Sequence, residues 1–149
     1  MADIFTKAKR SEVMSRIRSR GNKDTEVALG KLFRRHGITG WRRQVQVVTS
    51  PRPSPQRGEG VKVRPDFIFP KLKLAVFVDG CFWHGCPRHA TKPKSNRAFW
   101  NQKLKRNKER DRFQTRALRR AGWQVIRVWE CALKKNPLKC VERIQRVLL

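Results

Sequence analysis

The segment 63–79, VRPDFIFPKLKLAVFVD, determines the architecture that the sequence predicts. Its two apolar runs, VRPDFIF and LKLAVFVD, have the length and composition of strands, and the PKLK between them is typical of a turn. The second run is almost wholly apolar after Lys73, as expected for a central strand that is covered on both faces. The segment therefore predicts two strands at the centre of a sheet, with a turn between them.

Further helices and strands are predicted on either side of this segment. Upstream, DTEVALGKLFRRHG (24–37) has helical periodicity, and WRRQVQVV (41–48) alternates as a half-buried strand does. Downstream, residues 96–122 predict a long helix, WQVIRVWE (123–130) a strand, and PLKCVERIQRVLL (137–149) an amphipathic helix that begins at Pro137. This order predicts an α/β fold, a small mixed sheet flanked by helices.

The 149 residues have the length of one domain, with an arm before it and a loop inside it. KAKRSEVMSRIRSRG (7–21) is basic with few apolar residues, so we expect residues 1–21 to form an N-terminal arm. Residues 22–149 are predicted to be a single domain. Residues 49–62 contain three prolines and two glycines, which predicts a flexible surface loop.

Charge is the strongest global signal. The chain has 37 Lys and Arg against 11 Asp and Glu, a net charge of +26. Such an excess is self-repulsive without a polyanion, and phosphate backbones bind it with release of counterions, so nucleic acid is the expected partner. No apolar run approaches the ~20 residues of a membrane span, and no secretory signal is visible. We therefore expect no membrane partner and a cytoplasmic location with reduced cysteines.

Cysteine and histidine spacing predicts a zinc site. Cys81, Cys86 and His89 follow a C-x4-C-x2-H pattern in a loop rich in glycine and proline. Zinc takes four nitrogen or sulfur ligands at tetrahedral corners, so a fourth ligand must come from a distant segment. Cys131 follows a predicted strand, whereas Cys140 lies on the apolar stripe of the last helix. Cys131 is therefore favoured as the fourth ligand.

Two aspartates predict a second metal site. Asp66 begins one strand of the central segment and Asp79 ends the next, so a hairpin brings both to one end of the sheet. Two carboxylates there suit Mg²⁺, which polarises a phosphoryl oxygen and activates water. His84, in the following loop, is the candidate general base. The alternative for His84 is zinc ligation in place of His89.

The remaining candidate residues are aromatic side chains and one face of the long helix. Phe82 and Trp83 are consecutive in the loop, where an outward ring can insert between base pairs, and Trp100 at the helix start can join them. Asn107 and Asp111 are polar residues on an otherwise apolar stripe of that helix. The alternatives are core packing for the rings and a partly solvated face for the helix.

Four motifs resemble those of the very short patch repair endonucleases of bacteria: RPDFIF, VFVDGCFWHGC, FWNQKLKRNKERD and GWQVIRVWECAL. The basic arm is similar too, so the resemblance covers nearly the whole chain apart from residues 50–62. It implies a restriction-endonuclease-like fold with a structural zinc and an N-terminal arm. It also implies an Mg²⁺-dependent DNA endonuclease that nicks one strand beside a T:G mismatch left by deamination of 5-methylcytosine.

The resemblance also implies roles for single residues. Asp66 and the carbonyl of Val78 would hold Mg²⁺, His84 would be the general base, and Asp111 would support it. Glu26 matches a further acid near the site. The zinc ligands would be Cys81, Cys86, His89 and Cys131, and the residues that approach DNA would be Met14, Phe82, Trp83, Trp100, Lys103 and Asn107.

The chain departs from the family's best-known pattern at Asp79, which stands where that pattern has a second histidine. Asp79 is therefore expected to be a third Mg²⁺ ligand, as in a two-acid nuclease. Mismatch-repair proteins are expected as further partners, and a monomer as the state of the chain. Two other functions stay open, a nuclease of the same fold for other DNA structures and a catalytically silent, zinc-pinned DNA-binding module.

Overall fold

The computed structural model describes residues 6, 8, 9, 25–49, 60–81, 86–88 and 95–149. Its helices are α1 (Glu26–Arg35), α2 (Arg97–Arg120), α3 (Glu130–Lys135) and α4 (Pro137–Leu148). Its strands are β1 (Arg42–Arg43), β2 (Val47–Thr49), β3 (Val61–Val63), β4 (Phe67–Phe69), β5 (Leu74–Asp79) and β6 (Gln124–Trp129). No helix in these ranges is long and apolar enough to cross a membrane.

The central strands form the predicted hairpin. β4 and β5 pair antiparallel with Phe67 opposite Val76, and a 3-10 turn at Pro70–Leu72 connects them. The turn ends at Lys73, whose φ of 49° lies in the left-handed region. All six residues of β5 are buried, as expected for a central strand. β6 pairs parallel to β5 on its other side, and the sheet order is β1-β4-β5-β6.

Apolar side chains cover both faces of this sheet. On one face, Leu29 and Phe33 of α1 and Ile144 of α4 pack against Val76 and other sheet residues. On the other face, Leu118 of α2 packs with a second cluster that includes Ala75 and Phe77. The predicted class, a mixed sheet flanked by helices, is thereby confirmed.

The segment 41–48 does not form the single strand that was predicted. It is interrupted at Gln44, where a φ of 54° turns the chain. β1 before the turn joins the main sheet, whereas β2 after it pairs with β3 in a separate two-stranded sheet. VRPDFIF is divided in the same way, because Val63 belongs to β3 and Phe67 to β4.

The Pro-rich loop is shorter than the predicted 49–62. Thr49 pairs with Val61 and Val48 with Lys62, so residues 49, 61 and 62 lie in strands. This close pairing requires a glycine at position 60, since a Cβ atom there would lie 2.3 Å from the carbonyl oxygen of Thr49. Residues 50–59, and the arm apart from residues 6, 8 and 9, lie outside the described residues.

The end of β6 also differs from the expectation. The predicted strand 123–130 ends at Trp129, and Glu130 begins the short helix α3, which the sequence did not predict. Cys131 is the second residue of this helix, and its sulfur atom lies within 4.8 Å of that of Cys81, which follows β5. The division into an arm and one domain stays a prediction.

Candidate active site and thiol cluster

Asp66 lies at the open end of the β4–β5 hairpin, one residue before β4. Its Oδ2 accepts a hydrogen bond of 2.7 Å from the backbone N–H of Val78, and its Oδ1 one of 3.3 Å from the side-chain amide of Gln44. The backbone N–H of Gln44 also donates to the Asp66 carbonyl at 3.2 Å. The break in the strand at Gln44 thus helps to orient this carboxylate, a role that the sequence did not reveal.

The backbone carbonyl of Val78 lies on the same side of β5 as this carboxylate. In an extended strand the N–H and C=O of one residue face the same neighbouring strand. Since the Val78 N–H donates to Asp66, the Val78 carbonyl also faces Asp66. A carboxylate and a carbonyl at one strand edge are oxygen ligands of the kind that Mg²⁺ takes while keeping several waters. These two residues therefore fit the predicted metal.

Asp79, the second predicted acid, lies in a different environment. Its residue is 4% exposed, and both carboxylate oxygens accept from the Arg127 Nη1 atom, at 3.0 and 3.1 Å. Successive side chains of a strand alternate between faces, so Asp79 shares the α2 face of the sheet with Phe77. The carboxylate is thus held in an ion pair with β6, and its predicted Mg²⁺ ligation stays a prediction.

Arg127 connects this ion pair to helix α2. Its Nε donates to the Thr115 hydroxyl at 2.9 Å, and its Nη2 donates to the Asp111 carbonyl at 3.0 Å. The Asp111 carboxylate lies 3.8 Å from Nη1, and the guanidinium carbon lies 4.2 Å from the centre of the Phe77 ring. These contacts of Arg127 could have been predicted from the arginine inside the largely apolar strand QVIRVW, because an arginine that is mostly buried needs acidic or carbonyl partners.

The remaining helix residues follow one side of α2 away from Asp111. Trp100, Lys103 and Asn107 lie three and four residues apart, so they are neighbours on the helix surface. The Lys103 Nζ atom lies 5.9 Å from the Trp100 ring and 5.7 Å from the ring of Phe99. Phe99, 53% exposed, packs edge to face on Trp100 at 5.3 Å. Phe99 is a further exposed aromatic residue, which was not predicted as part of the site.

Glu26 is buried in an ion pair. Its Oε1 accepts from the Nε and Nη2 atoms of Arg43, at 2.9 and 2.8 Å, and the residue is 3% exposed. Arg43 immediately precedes Gln44, which holds Asp66. The pair therefore joins helix α1 to β1, next to the residue that contacts Asp66. The role of Glu26 near the site stays a prediction.

An open groove of about 800 Å³ runs between α2 and the end of the sheet. Its floor contains the Asp79–Arg127 pair and Asp111. Its α2 wall is strongly basic, with Lys108, Arg112, Arg116, Arg119 and Arg120. A polyanion such as a phosphate backbone matches this wall in charge.

Three thiols meet beyond the end of β5. The sulfur atoms of Cys81, Cys86 and Cys131 all lie within 4.8 Å of one another, and those of Cys86 and Cys131 are 3.7 Å apart. The backbone N–H of Cys86 donates to the Cys81 carbonyl at 2.9 Å, which closes the loop between them. Cys140 instead lies in the apolar core. Three converging thiols can hold a metal ion, and thiolates are ligands that zinc prefers.

Burial raises the pKa of the Cys81 thiol to about 12, and neighbouring Cys131 and Cys86 add to the shift through their side chains. Burial also raises the pKa of Cys140. In the protein without metal, the Cys81 thiol is therefore protonated at neutral pH. The Cys81 N–H also lies 3.4 Å from the Glu130 carboxylate, which ties the cluster to the start of α3.

Several predicted site residues fall outside the described ranges. They are Met14 of the arm, the loop residues Phe82, Trp83 and His84, and the zinc candidate His89.

The fold and these sites define a class of strongly basic α/β protein with one candidate site for a hard metal ion and one for a thiolate-bound metal. Residues 56–90 match the family model of the DNA mismatch endonuclease Vsr. Over 137 residues the chain is 36% identical to the DNA mismatch endonuclease Vsr of Escherichia coli K12, which covers 90% of this chain and 77% of that relative.

Other similar proteins are nicking enzymes. The chain is 38% identical over 150 residues to the Type II nicking enzyme V.NmeAIP of Neisseria meningitidis, with 99% of this chain and 95% of that enzyme covered. It is 56% identical over 73 residues to the Type II nicking enzyme V.NaeI of Lentzea aerocolonigenes, where the match spans 49% of this chain and 44% of that enzyme. The chain belongs to the Vsr family and is a DNA endonuclease, which hydrolyses phosphodiester bonds.

Proposed function

We propose that this endonuclease nicks one strand of duplex DNA beside a T:G mismatch, in very short patch repair, by Mg²⁺-dependent hydrolysis. The name of the E. coli relative, a mismatch endonuclease, supports the mismatch as substrate. The observation that supports the hydrolytic site most directly is the pairing of Asp66 with Val78 at one strand edge, joined by a 2.7 Å hydrogen bond. A restriction-endonuclease-like fold is part of the same proposal.

Asp66 and the carbonyl of Val78 are the proposed Mg²⁺ ligands. Bound Mg²⁺ supplies positive charge that polarises the scissile phosphate and eases ionisation of water. Asp79 was predicted as a third ligand, but both of its oxygens accept from Arg127, so the proposal relies on the first two residues. Gln44 holds Asp66 in place through its side-chain amide.

His84 is the proposed general base, which takes a proton from the attacking water, and Asp111 is proposed to orient it. Glu26 supports the site through Arg43 and β1. The proposed zinc ligands are Cys81, Cys86, His89 and Cys131, which would pin the loop that follows β5 and carries His84.

Mismatch recognition is assigned to residues around this loop and helix α2. Phe82, Trp83 and Trp100 are proposed to insert beside the mismatch, where base stacking is exchanged for stacking on protein rings. Lys103 and Asn107 are proposed to approach the mismatched pair, and Met14 to contact DNA from the arm. We further propose that the enzyme acts as a monomer in the bacterial cytoplasm, with mismatch-repair proteins as partners.

A nicking assay tests the proposal. Two duplexes that differ only in a T:G or T:A pair are incubated with the enzyme, with and without Mg²⁺, and the cut strand is mapped. Cutting beside the mismatched T alone, and only with Mg²⁺, is the expected result. Equal cutting of both duplexes would indicate a nuclease for other DNA, and tight binding without cutting would indicate a silent zinc-pinned module.

A further inference from the structure

Arg127 is an unusual residue for its position in the sheet. It lies in the middle of β6 between Ile126 and Val128, which are buried, and its own side chain is only 22% exposed. An arginine side chain that is mostly buried needs acidic or carbonyl partners, because removal of its charge from water is costly. Its position therefore depends on the groups that surround it.

Those groups belong to two different elements. On one side, Nη1 donates to both oxygens of Asp79 at the end of β5. On the other side, Nε and Nη2 donate to Thr115 and to the carbonyl of Asp111 on α2. The guanidinium is planar and its five N–H groups have fixed directions, so one such set of bonds fixes both distance and orientation between its partners.

Helix α2 buries few of its side chains among the positions that the structure describes. It is 24 residues long, yet Leu118 is its only buried residue among the positions that the structure describes. Leu118 lies one turn beyond Thr115, whereas Trp100, Lys103 and Asn107 lie two to four turns on the other side. The bonds from Arg127 therefore attach the middle of the helix to the sheet, between Leu118 and the proposed DNA-facing residues.

The ion pair also decides what Asp79 can do. A divalent cation on the Asp79 oxygens would lie beside the guanidinium, and like charges at that distance repel strongly in a partly buried site. Loss of Arg127 would instead leave a buried carboxylate without its cation. Asp79 is thus suited to hold Arg127 rather than a metal ion.

We propose that Arg127 is a positioning residue of the nuclease, which fixes Asp111 and α2 against the end of β5, with Asp79 as its counter-ion rather than a Mg²⁺ ligand. This inference rests on the proposed function for its kinetic consequence. The position of α2 itself is a property of the fold and can be measured without any activity.

The first test is Arg127→Lys. Lysine keeps a positive charge beside Asp79 but lacks the guanidinium group, which donates to Asp111 and Thr115 at the same time. Single-turnover nicking of the T:G duplex is expected to slow by about 10²-fold, because misplaced catalytic groups lose rate steeply. Duplex affinity is expected to stay within about twofold, since the loss concerns the reacting geometry. The control is Arg146→Lys, an exposed arginine of α4, which should change neither quantity.

Hydrogen exchange gives a second readout that needs no activity. Amides of residues 107–115 should exchange faster in Arg127→Lys than in the wild type, whereas those of β4 and β5 should not change. If Arg127→Lys nicks at the wild-type rate and shows wild-type exchange, Arg127 is not a positioning residue. If the wild type fails to nick any T:G duplex, the proposed function is wrong. The hydrogen-exchange rates of residues 107–115 then test the position of α2 on their own.

Asp79→Asn distinguishes a counter-ion from a ligand. Asparagine can still accept a hydrogen bond from Arg127, so the nicking rate should stay within about tenfold of the wild type. The Mg²⁺ concentration needed for half-maximal nicking should not change. Loss of nicking to the level of Asp66→Ala, with a higher Mg²⁺ requirement, would overturn the inference and make Asp79 a ligand.

A variant with both changes, Asp79→Asn with Arg127→Gln, covers the case in which Arg127→Lys does not fold. It removes the charges of both members of the Asp79–Arg127 pair and should reproduce the slow nicking and the fast exchange of residues 107–115. Wild-type nicking and wild-type exchange in this folded double variant would also overturn the inference.

Discussion

Two aspartates lie at the same end of one hairpin, Asp66 just before β4 and Asp79 at the end of β5, yet their surroundings differ. In the Asp66 corner, formed by Asp66, Gln44 and Val78, the carboxylate accepts from an amide and from a backbone N–H. In the Asp79 corner, formed by Asp79, Arg127, Asp111 and Thr115, the carboxylate faces a guanidinium. The same residue type at the same end of a sheet thus suits two tasks, metal binding in the first corner and attachment of a helix in the second.

The Asp66 corner should carry the largest effect on catalysis. We expect Asp66→Asn to slow nicking of a T:G duplex by at least about 10³-fold, since a charge that stabilises the reacting phosphate through the metal is lost. Binding should be retained or tightened, because the removed charge opposes phosphate. Rates from single-turnover assays and affinities from fluorescence anisotropy test this. Nicking at a wild-type rate would remove Asp66 from the metal site.

The thiol cluster begins at Cys81, two residues after Asp79, and should have the largest effect on the free energy of unfolding. Cys131→Ala should lose bound zinc and lower the free energy of unfolding by more than about 4 kcal/mol, a size typical of losing a structural metal. Cys140→Ala, the matched control in the core, should keep the metal and cost about 1 kcal/mol. Metal content by atomic emission and denaturant unfolding measure both. Equal metal content in the two variants would contradict the cluster as a zinc site.

Zinc uptake by this cluster should depend on pH. The pKa of Cys81 is raised to about 12 in the metal-free protein, so the thiol must release a proton before its sulfur can bind a metal. Protons compete with zinc at lower pH, and apparent affinity should fall at least about tenfold for each pH unit below neutrality. Competition with a chromophoric chelator between pH 6 and 8 measures this. Affinity that does not change with pH would exclude thiolate ligation.

The Asp66 corner depends on a support outside it, the Glu26–Arg43 pair. Arg43→Ala should lower the free energy of unfolding by about 2 kcal/mol, because Glu26 is 3% exposed and loses a charged hydrogen-bond donor. Nicking should slow less than in Asp66→Asn, since Asp66 keeps its bond to Val78. Urea unfolding and nicking assays on the same preparation test both. A loss of nicking as large as that of Asp66→Asn would mean that Arg43 acts on the reaction directly.

The smallest expected effect concerns the aromatic end of α2, which the Asp79 corner holds in place. Trp100→Ala should lower the preference for a T:G over a T:A duplex by about tenfold, in line with the value of stacking one base on an aromatic ring. Phe113→Ala removes an exposed aromatic ring, 55% exposed, from the same helix and should leave the preference unchanged. Paired affinity measurements on both duplexes decide this, and equal effects of the two variants would assign the change to helix packing.

The elements that could be predicted are those whose pattern is local. The apolar run of β5 and the turn before it identified the hairpin, and the hairpin alone brought Asp66 and Asp79 to one end. The break at Gln44 could not be predicted, because WRRQVQVV contains no glycine or proline to mark it, and its two halves pair with distant strands in different sheets. The helix at Glu130–Lys135 was missed because its six residues are too short for a periodic pattern.

The sequence by itself determined the basic character of the protein, its mixed sheet, and the spacing of acids and thiols, because composition and periodicity are properties of neighbouring residues. The tertiary structure decided which distant groups meet. The parallel register of β5 and β6 sets Phe77 opposite Arg127, which brings Asp79 to that arginine, and it delivers Cys131 rather than Cys140 to the other thiols. That register depends on how apolar side chains pack on both faces of the sheet, which no local pattern encodes.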